Sequence, residues 1–150
     1  MREPRRVGSV LGAVLFASTL LLAAPADGGQ RPVSLGEVTA RAPGQSFKPL
    51  FRAAVKRELA RIDFGKARPR ESFVLSAALV RLHAARRGGG AEATCVVSAT
   101  LRRARGGELH AILHGRAKAV DGARRTREAE LDAMNAAVHS ALRRVPDALR

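Results

Sequence analysis

Two runs of alternation, each preceded by consecutive glycines, restrict this chain more than any other feature. In residues 92–103, Ala93, Cys95, Val97, Ala99 and Leu101 occupy every second position. Glu92, Thr94, Ser98, Thr100 and Arg102 fall between them. Residues 108–119 repeat the pattern, with Leu109, Ala111, Leu113, Ala117 and Ala119 on one side and Glu108, His110, His114, Arg116 and Lys118 on the other. A period of two belongs to strands with one dry and one wet face, as in an antiparallel sheet covered on one side. Gly88-Gly89-Gly90 and Gly106-Gly107 supply the turns, so adjacent strands should form a meander. Residues 72–84 precede them as an almost continuous apolar run (Phe73, Val74, Leu75, Leu79, Val80, Leu82) and complete three strands.

Helical periodicity flanks this block. Phe47, Phe51, Val55, Leu59 and Ile62 recur every three or four residues, and Leu50 and Ala54 widen the stripe. Ser46 is positioned to cap this helix, and Pro49 falls in its first turn, where the missing N–H costs nothing. Leu131, Met134, Val138, Leu142 and Val145 mark a second helix, with Thr126 as its cap and Glu128 and Glu130 at the positive end of its dipole. Pro146 should end it. Asp63 to Arg70 reads as a loop through Gly65 and Pro69, and residues 33–41 as a short first strand of unassigned pairing. The order is (β)αβββα. One apolar sheet face and two apolar helix stripes combine most economically as an α+β two-layer sandwich, with both helices on one face of an antiparallel meander sheet. With five Phe and neither Trp nor Tyr, its core must be built mostly from Ala, Val and Leu.

The first 26 residues have another character. Arg2, Arg5 and Arg6 precede an uncharged, Leu-rich stretch over residues 7–24, and Ala24-Pro25-Ala26 presents small residues before Asp27. These are the three parts of a secretory signal peptide, with cleavage expected before Asp27. Residues 27–32 then form a flexible leader, and residues 33–150 a single domain. The expected location is periplasmic or secreted; an N-terminal membrane anchor is the alternative, since the apolar stretch is about long enough to span. No Cys follows the stretch, which closes the lipoprotein route. Cys95 is the single cysteine, so no intrachain disulfide can form, and its apolar setting marks a buried structural thiol.

No constellation of catalytic, cofactor-binding or metal-binding residues stands out. His110 and His114 have the spacing of a metal pair on a helix, but on a strand those four residues span roughly 13 Å. Ser98 and Thr100 share their wet face with these histidines, yet no tight turn presents a hydroxyl, and the acids nearby, Glu92 and Glu108, sit at strand ends. The Gly-rich segments join strands and open no helix, so neither is a phosphate loop. What remains organised is positive charge. The net charge is +14, and loss of Arg2, Arg5, Arg6 and Glu3 with the leader leaves +12. Lys48, Arg52 and Lys56 fall at i, i+4, i+8 on the first helix, Arg57 and Arg61 lie beside them, and Lys66, Arg68 and Arg70 extend the patch into the loop. Like charges at this spacing cost about 0.2–0.5 kcal/mol per pair in an isolated helix. Tolerating that cost suggests an anion-binding surface; the compositional alternative is an Arg- and Ala-rich genome.

The order of elements behind an export signal resembles the small envelope domains of the curli-secretion and penicillin-binding-protein-activator lipoprotein group. The runs FVLSAALVRL, ATCVVSATL and GELHAILHGRA also resemble small secreted proteins of GC-rich Gram-negative bacteria, myxobacteria among them. Both resemblances imply an envelope compartment and carry over no functional residue. The sequence thus leads to an exported, non-catalytic binding or accessory domain. A basic protein that binds polyanions or an anionic envelope is one alternative, and a small envelope enzyme with a site formed at an interface is another. The expected partners are an acidic envelope polymer, an anionic lipid or an acidic protein. Nucleic acid fits poorly, because no aromatic side chain lies on a wet strand face to stack with bases.

Overall fold

A computed structural model describes residues 32–41, 44–64, 71–122 and 125–150. The expected signal peptide and most of the leader lie outside the described residues, as does most of the loop after the first helix. Strands β1 (Val33–Ala40), β2 (Phe73–Arg87), β3 (Gly90–Arg103) and β4 (Leu109–Asp121) form one sheet in the order β1-β2-β3-β4. Helices α1 (Lys48–Arg61), α2 (Thr126–Leu142) and the single turn α3 (Val145–Ala148) accompany them. The helices pack on one side of the sheet, giving the two-layer α+β sandwich that the patterning implies.

β3 is the central record of that architecture. Ala91, Ala93, Cys95, Val97, Ala99 and Leu101 are all fully buried, while the residues between them are partly open. Gly88 and Gly89, both at positive φ, close the β2–β3 hairpin with a two-residue turn. Side chains are strained at two successive positive-φ positions, and glycine is not.

β2 departs from simple alternation for a physical reason. Phe73, Leu75, Ala77 and Leu79 point to the core, then the register against β3 shifts between Leu79 and Arg81, and Leu82 takes up the buried role. The bulge at Val80 changes the parity of the apolar positions, so the run looks continuously apolar although one face is dry. A second irregularity, between Leu101 and Arg102, leaves His110 without an opposite residue. There the expected orientations are reversed. Leu109 pairs with Arg102 on the open face and is exposed, whereas His110 turns toward the helices, meets the Phe73 ring in a tilted contact with centroids 4.8 Å apart and donates from Nε2 to the Ala148 carbonyl at 2.8 Å.

The first strand also corrects a simple meander. β1 runs parallel to β2, from Val33 beside Phe73 to Ala40 beside Leu79, so the sheet is mixed. Parallel neighbours need a crossover, and α1 provides it. The caps differ too. Residues Gly44–Phe47 form a 3₁₀ turn that absorbs Ser46, and the α1 cap is Phe47 without a side-chain hydrogen bond. The cap of α2 is Arg125, one residue before the expected one: the Ala129 N–H reaches the Arg125 carbonyl, which makes Thr126 the first residue of the helix. After Leu142 the chain makes the α3 turn, burying Val145 and packing Ala148 and Leu149 on the core.

The sheet and α2 meet through very small residues. Ala129, Ala133, Ala137 and Ala141 line the buried face of α2 with Met134, Val138 and Leu142. Gly115 of β4 lies beneath the helix, where an added Cβ would overlap the Ala137 carbonyl oxygen and stand 2.8 Å from the Ala141 nitrogen and 2.9 Å from its Cβ. Those are backbone atoms and a short side chain, so relief requires movement of the helix itself. The Gly115→Ala substitution should therefore lower the free energy of unfolding by about 3 kcal/mol, as overpacking of a rigid contact does. Gly122→Ala, where nothing lies within 4 Å of the new carbon, should change it by less than about 0.5 kcal/mol. Urea unfolding of the two variants checks the difference.

Candidate functional site

α1 buries Phe51, Ala54, Val55 and Leu59 and thereby turns its charged residues outward. Lys48, Arg52, Lys56, Arg57 and Arg61 are all exposed. Lys66, Arg68 and Arg70 lie outside the described residues. The five basic residues on the helix separate into two groups. Lys48, Arg52 and Lys56 form no ion pair among the described residues. Arg57 and Arg61 instead border α2.

Contacts between the helices establish how they lie. The Arg127 guanidinium sits over the Phe47 ring at 4.7 Å, Arg57 donates to Asn135 Oδ1 at 3.1 Å, and Glu58 Oε1 meets His139 Nδ1 at 2.5 Å. Rising numbers on α1 match rising numbers on α2, so the helices run side by side in parallel. Between them opens a cleft of about 320 Å³ lined by Ala54, Arg57, Glu58, Arg61, Asn135, Ala136, Val138 and His139. Glu58 is held between its partners, with a side chain 18% exposed, and Arg61 Nη1 lies 4.0 Å from its second oxygen.

Sequence reasoning marked Arg57 and Arg61 and missed Asn135 and His139. The available signal was the i, i+4 spacing of those two residues, which sets them on one face of α2. That signal gains meaning only once α1 is known to lie against the same face.

The other side of the sheet is uncovered by any described element. It carries Ser76, Ser98 and Thr100, the cations Arg81, Arg116 and Lys118, and exposed apolar side chains including Ile112 (52%) and Val120 (69%). Register places His114 directly opposite Ser98, with no hydrogen bond between them. A shallow depression of about 90 Å³ here is lined by Glu37, Thr39, Ser76, Ala77, Ala78, Ser98 and Thr100. His110 and His114 face opposite sides of the sheet, because of the bulge, and so could not share an ion. Among the described residues, no three His, Cys, Asp or Glu side chains gather as metal ligands. No helix among these residues is long and apolar enough to cross a membrane.

Neither a protein-family profile nor a curated protein sequence matches the chain. Solved structures do resemble it. A hypothetical protein, CT253 from Chlamydia trachomatis, superposes with a TM-score of 0.52 at 10% identity, over 78% of this chain and 96% of that one. A "putative lipoprotein" from Caulobacter crescentus CB15 gives a TM-score of 0.49 at 18% identity, over 79% and 88%. At 10% identity, the likeness to the chlamydial protein concerns the fold alone.

Cys95 lies in the middle of β3, fully buried beneath the helices. Burial away from water pushes its thiol up to about 12, because the thiolate would lose its hydration. The thiol should resist a disulfide reagent at pH 8 in the folded protein and react at once in denaturant. The same shift makes stability depend on alkaline pH. Folding favours the protonated thiol, so the contribution is complete below the ordinary value of 9.0 and is lost as pH rises toward about 12. Replacing Cys95 with Ala should flatten that part of the stability curve, as measured by urea unfolding across the interval.

Proposed function

We propose that this chain is an exported, non-catalytic binding domain that docks on a polyanion of the cell envelope through α1. The observation that carries this reading is the outward row of Lys48, Arg52 and Lys56, three exposed cations one helical turn apart with no acidic partner among the described residues. Elsewhere four cations are balanced locally: Arg103 by Glu71 and Glu108, Lys118 by Glu92, Arg125 by Asp121, and Arg150 by Asp147. An unbalanced row on a rigid helix presents charge at a repeat of roughly 6 Å. Such a row suits a linear polymer that releases counterions on binding, and affinity should fall steeply with salt.

The topological resemblance to the curli-secretion and penicillin-binding-protein-activator group agrees with an envelope role. The export leader supplies a route to that compartment, and protein recovered from its host should begin at Asp27. Anchoring through a lipid would require a cysteine that this leader lacks.

Chromatography on immobilised heparin, a soluble stand-in for an anionic polymer, tests the reading. The purified chain should be retained and should elute over a narrow range of added salt. Changing Lys48, Arg52 and Lys56 together to Gln should lower the slope of log affinity against log salt by about three, one for each lost contact. Thermal stability should stay level or rise slightly as repulsion is relieved. Retention that is unaffected by the triple substitution would remove the proposed role of α1.

A further inference from the structure

The parallel helices create a second, smaller feature whose chemistry is more selective than the outer row. We propose that the cleft between α1 and α2 binds a single phosphate-type oxyanion. This rests on the docking role proposed for α1 and assigns the chemical group that gives the docking its specificity.

Three side chains offer donors around the cleft, Arg57 and Arg61 from α1 and Asn135 from α2. Arg57 uses one N–H on Asn135 Oδ1 and keeps the rest of its guanidinium fork. Because Asn135 accepts through Oδ1, its amide nitrogen is turned away from Arg57 and retains both hydrogens. The Glu58 carboxylate accepts the hydrogen bond of His139 Nδ1–H, which fixes the imidazole and leaves Nε2, a further donor only when the ring carries both protons, with no partner among the described residues. Arg61, whose side chain is 70% exposed, completes the ring. Ala54 and Val138 contribute small apolar walls.

The donor set selects among ligand classes. Only Glu58 and His139 could ligate a metal, which is too few for a stable site. Among the described residues no Phe, Tyr or Trp lines the cleft, so a base has no broad stacking surface there. A planar carboxylate engages one guanidinium fork with its two oxygens. A tetrahedral oxyanion can direct oxygens to both helices together, which is what donors on two facing walls require. Glu58 offsets part of the positive charge, so binding should be moderate and should strengthen when that carboxylate is neutralised.

Orthophosphate titrated into the purified chain at constant ionic strength, followed by amide NMR, tests the assignment. Saturable movement of the Asn135 side-chain and His139 signals is expected, with acetate binding about tenfold more weakly. Arg57→Gln should weaken phosphate binding by about tenfold, and Glu58→Gln should strengthen it severalfold. The second result separates a ligand site from a mere clasp between helices, because loss of a clasp would lower stability and leave nothing to bind better. Glu58→Ala serves if Glu58→Gln fails to fold. Lys48, Arg52 and Lys56 changed to Gln should leave phosphate binding intact while lowering the salt slope of heparin binding by about three. Vesicles containing phosphatidate and soluble polyphosphate display the same group, and whichever displaces orthophosphate from His139 identifies its source. Non-saturable shifts, equal responses to acetate, or weaker binding in Glu58→Gln would overturn the assignment. If phosphate fails while heparin retention remains normal and depends on the outer row, only the cleft assignment falls. If heparin retention fails while phosphate saturates, the wider docking role falls.

Discussion

The closeness of α2 to β4 governs the rest of the molecule. A glycine lies where the helix backbone crosses the strand, and alanines at 133, 137 and 141 form the facing side of the helix. Large side chains at these positions would hold the two layers apart. Small ones let backbone meet backbone, so dispersion contacts come from main-chain atoms and short methyls. This explains how a chain so poor in aromatic residues can have a dense interior. Phe47, Phe51 and Phe73 are buried on the α1 side and at the sheet end.

Seating α2 on β3 and β4 leaves the β1–β2 half of the sheet to be covered, and α1 takes that place as the crossover between those strands. Its apolar stripe is used on the sheet, so its cations must project outward or toward α2. The outer row and the cleft are consequences of this one arrangement. The isolated pairs across the cleft are exposed and contribute little to stability individually. Their value lies in orienting donors. Glu58 fixes the His139 ring, and Asn135 holds Arg57, so the charged groups need less ordering when a ligand arrives.

Much of this was legible in the sequence where local pattern and tertiary role coincide. β3 is the clearest case, since a strand with one dry face must write a period of two. The basic spacing on α1 was equally direct, because exposed charge has no reason to obey any other rule. Legibility failed where one residue shifts the frame. The bulge at Val80 made β2 look buried on both faces, and the one at His110 inverted the start of β4. Ser46 and Thr126 have the chemistry of caps, but each falls inside a helical turn, because the backbone begins to coil one or two residues earlier. The pairing of β1 depends on a crossover that no short-range pattern records. The cleft was hidden for a related reason: Arg57 and Asn135 are 78 residues apart, and only the parallel course of the helices joins them.

Native-state hydrogen exchange measures most directly whether α2 and the β3–β4 pair behave as one seated unit. Amides of Cys95–Ala99 in β3 and of Ala137–Ala141 in α2 should exchange only through global unfolding, with equal opening free energies and equal sensitivity to urea. β1, an edge strand, should open at lower cost. If the α2 amides exchanged through a small local opening while β3 stayed protected, the helix would not be locked to the sheet, and the glycine–alanine contact would have no organising role.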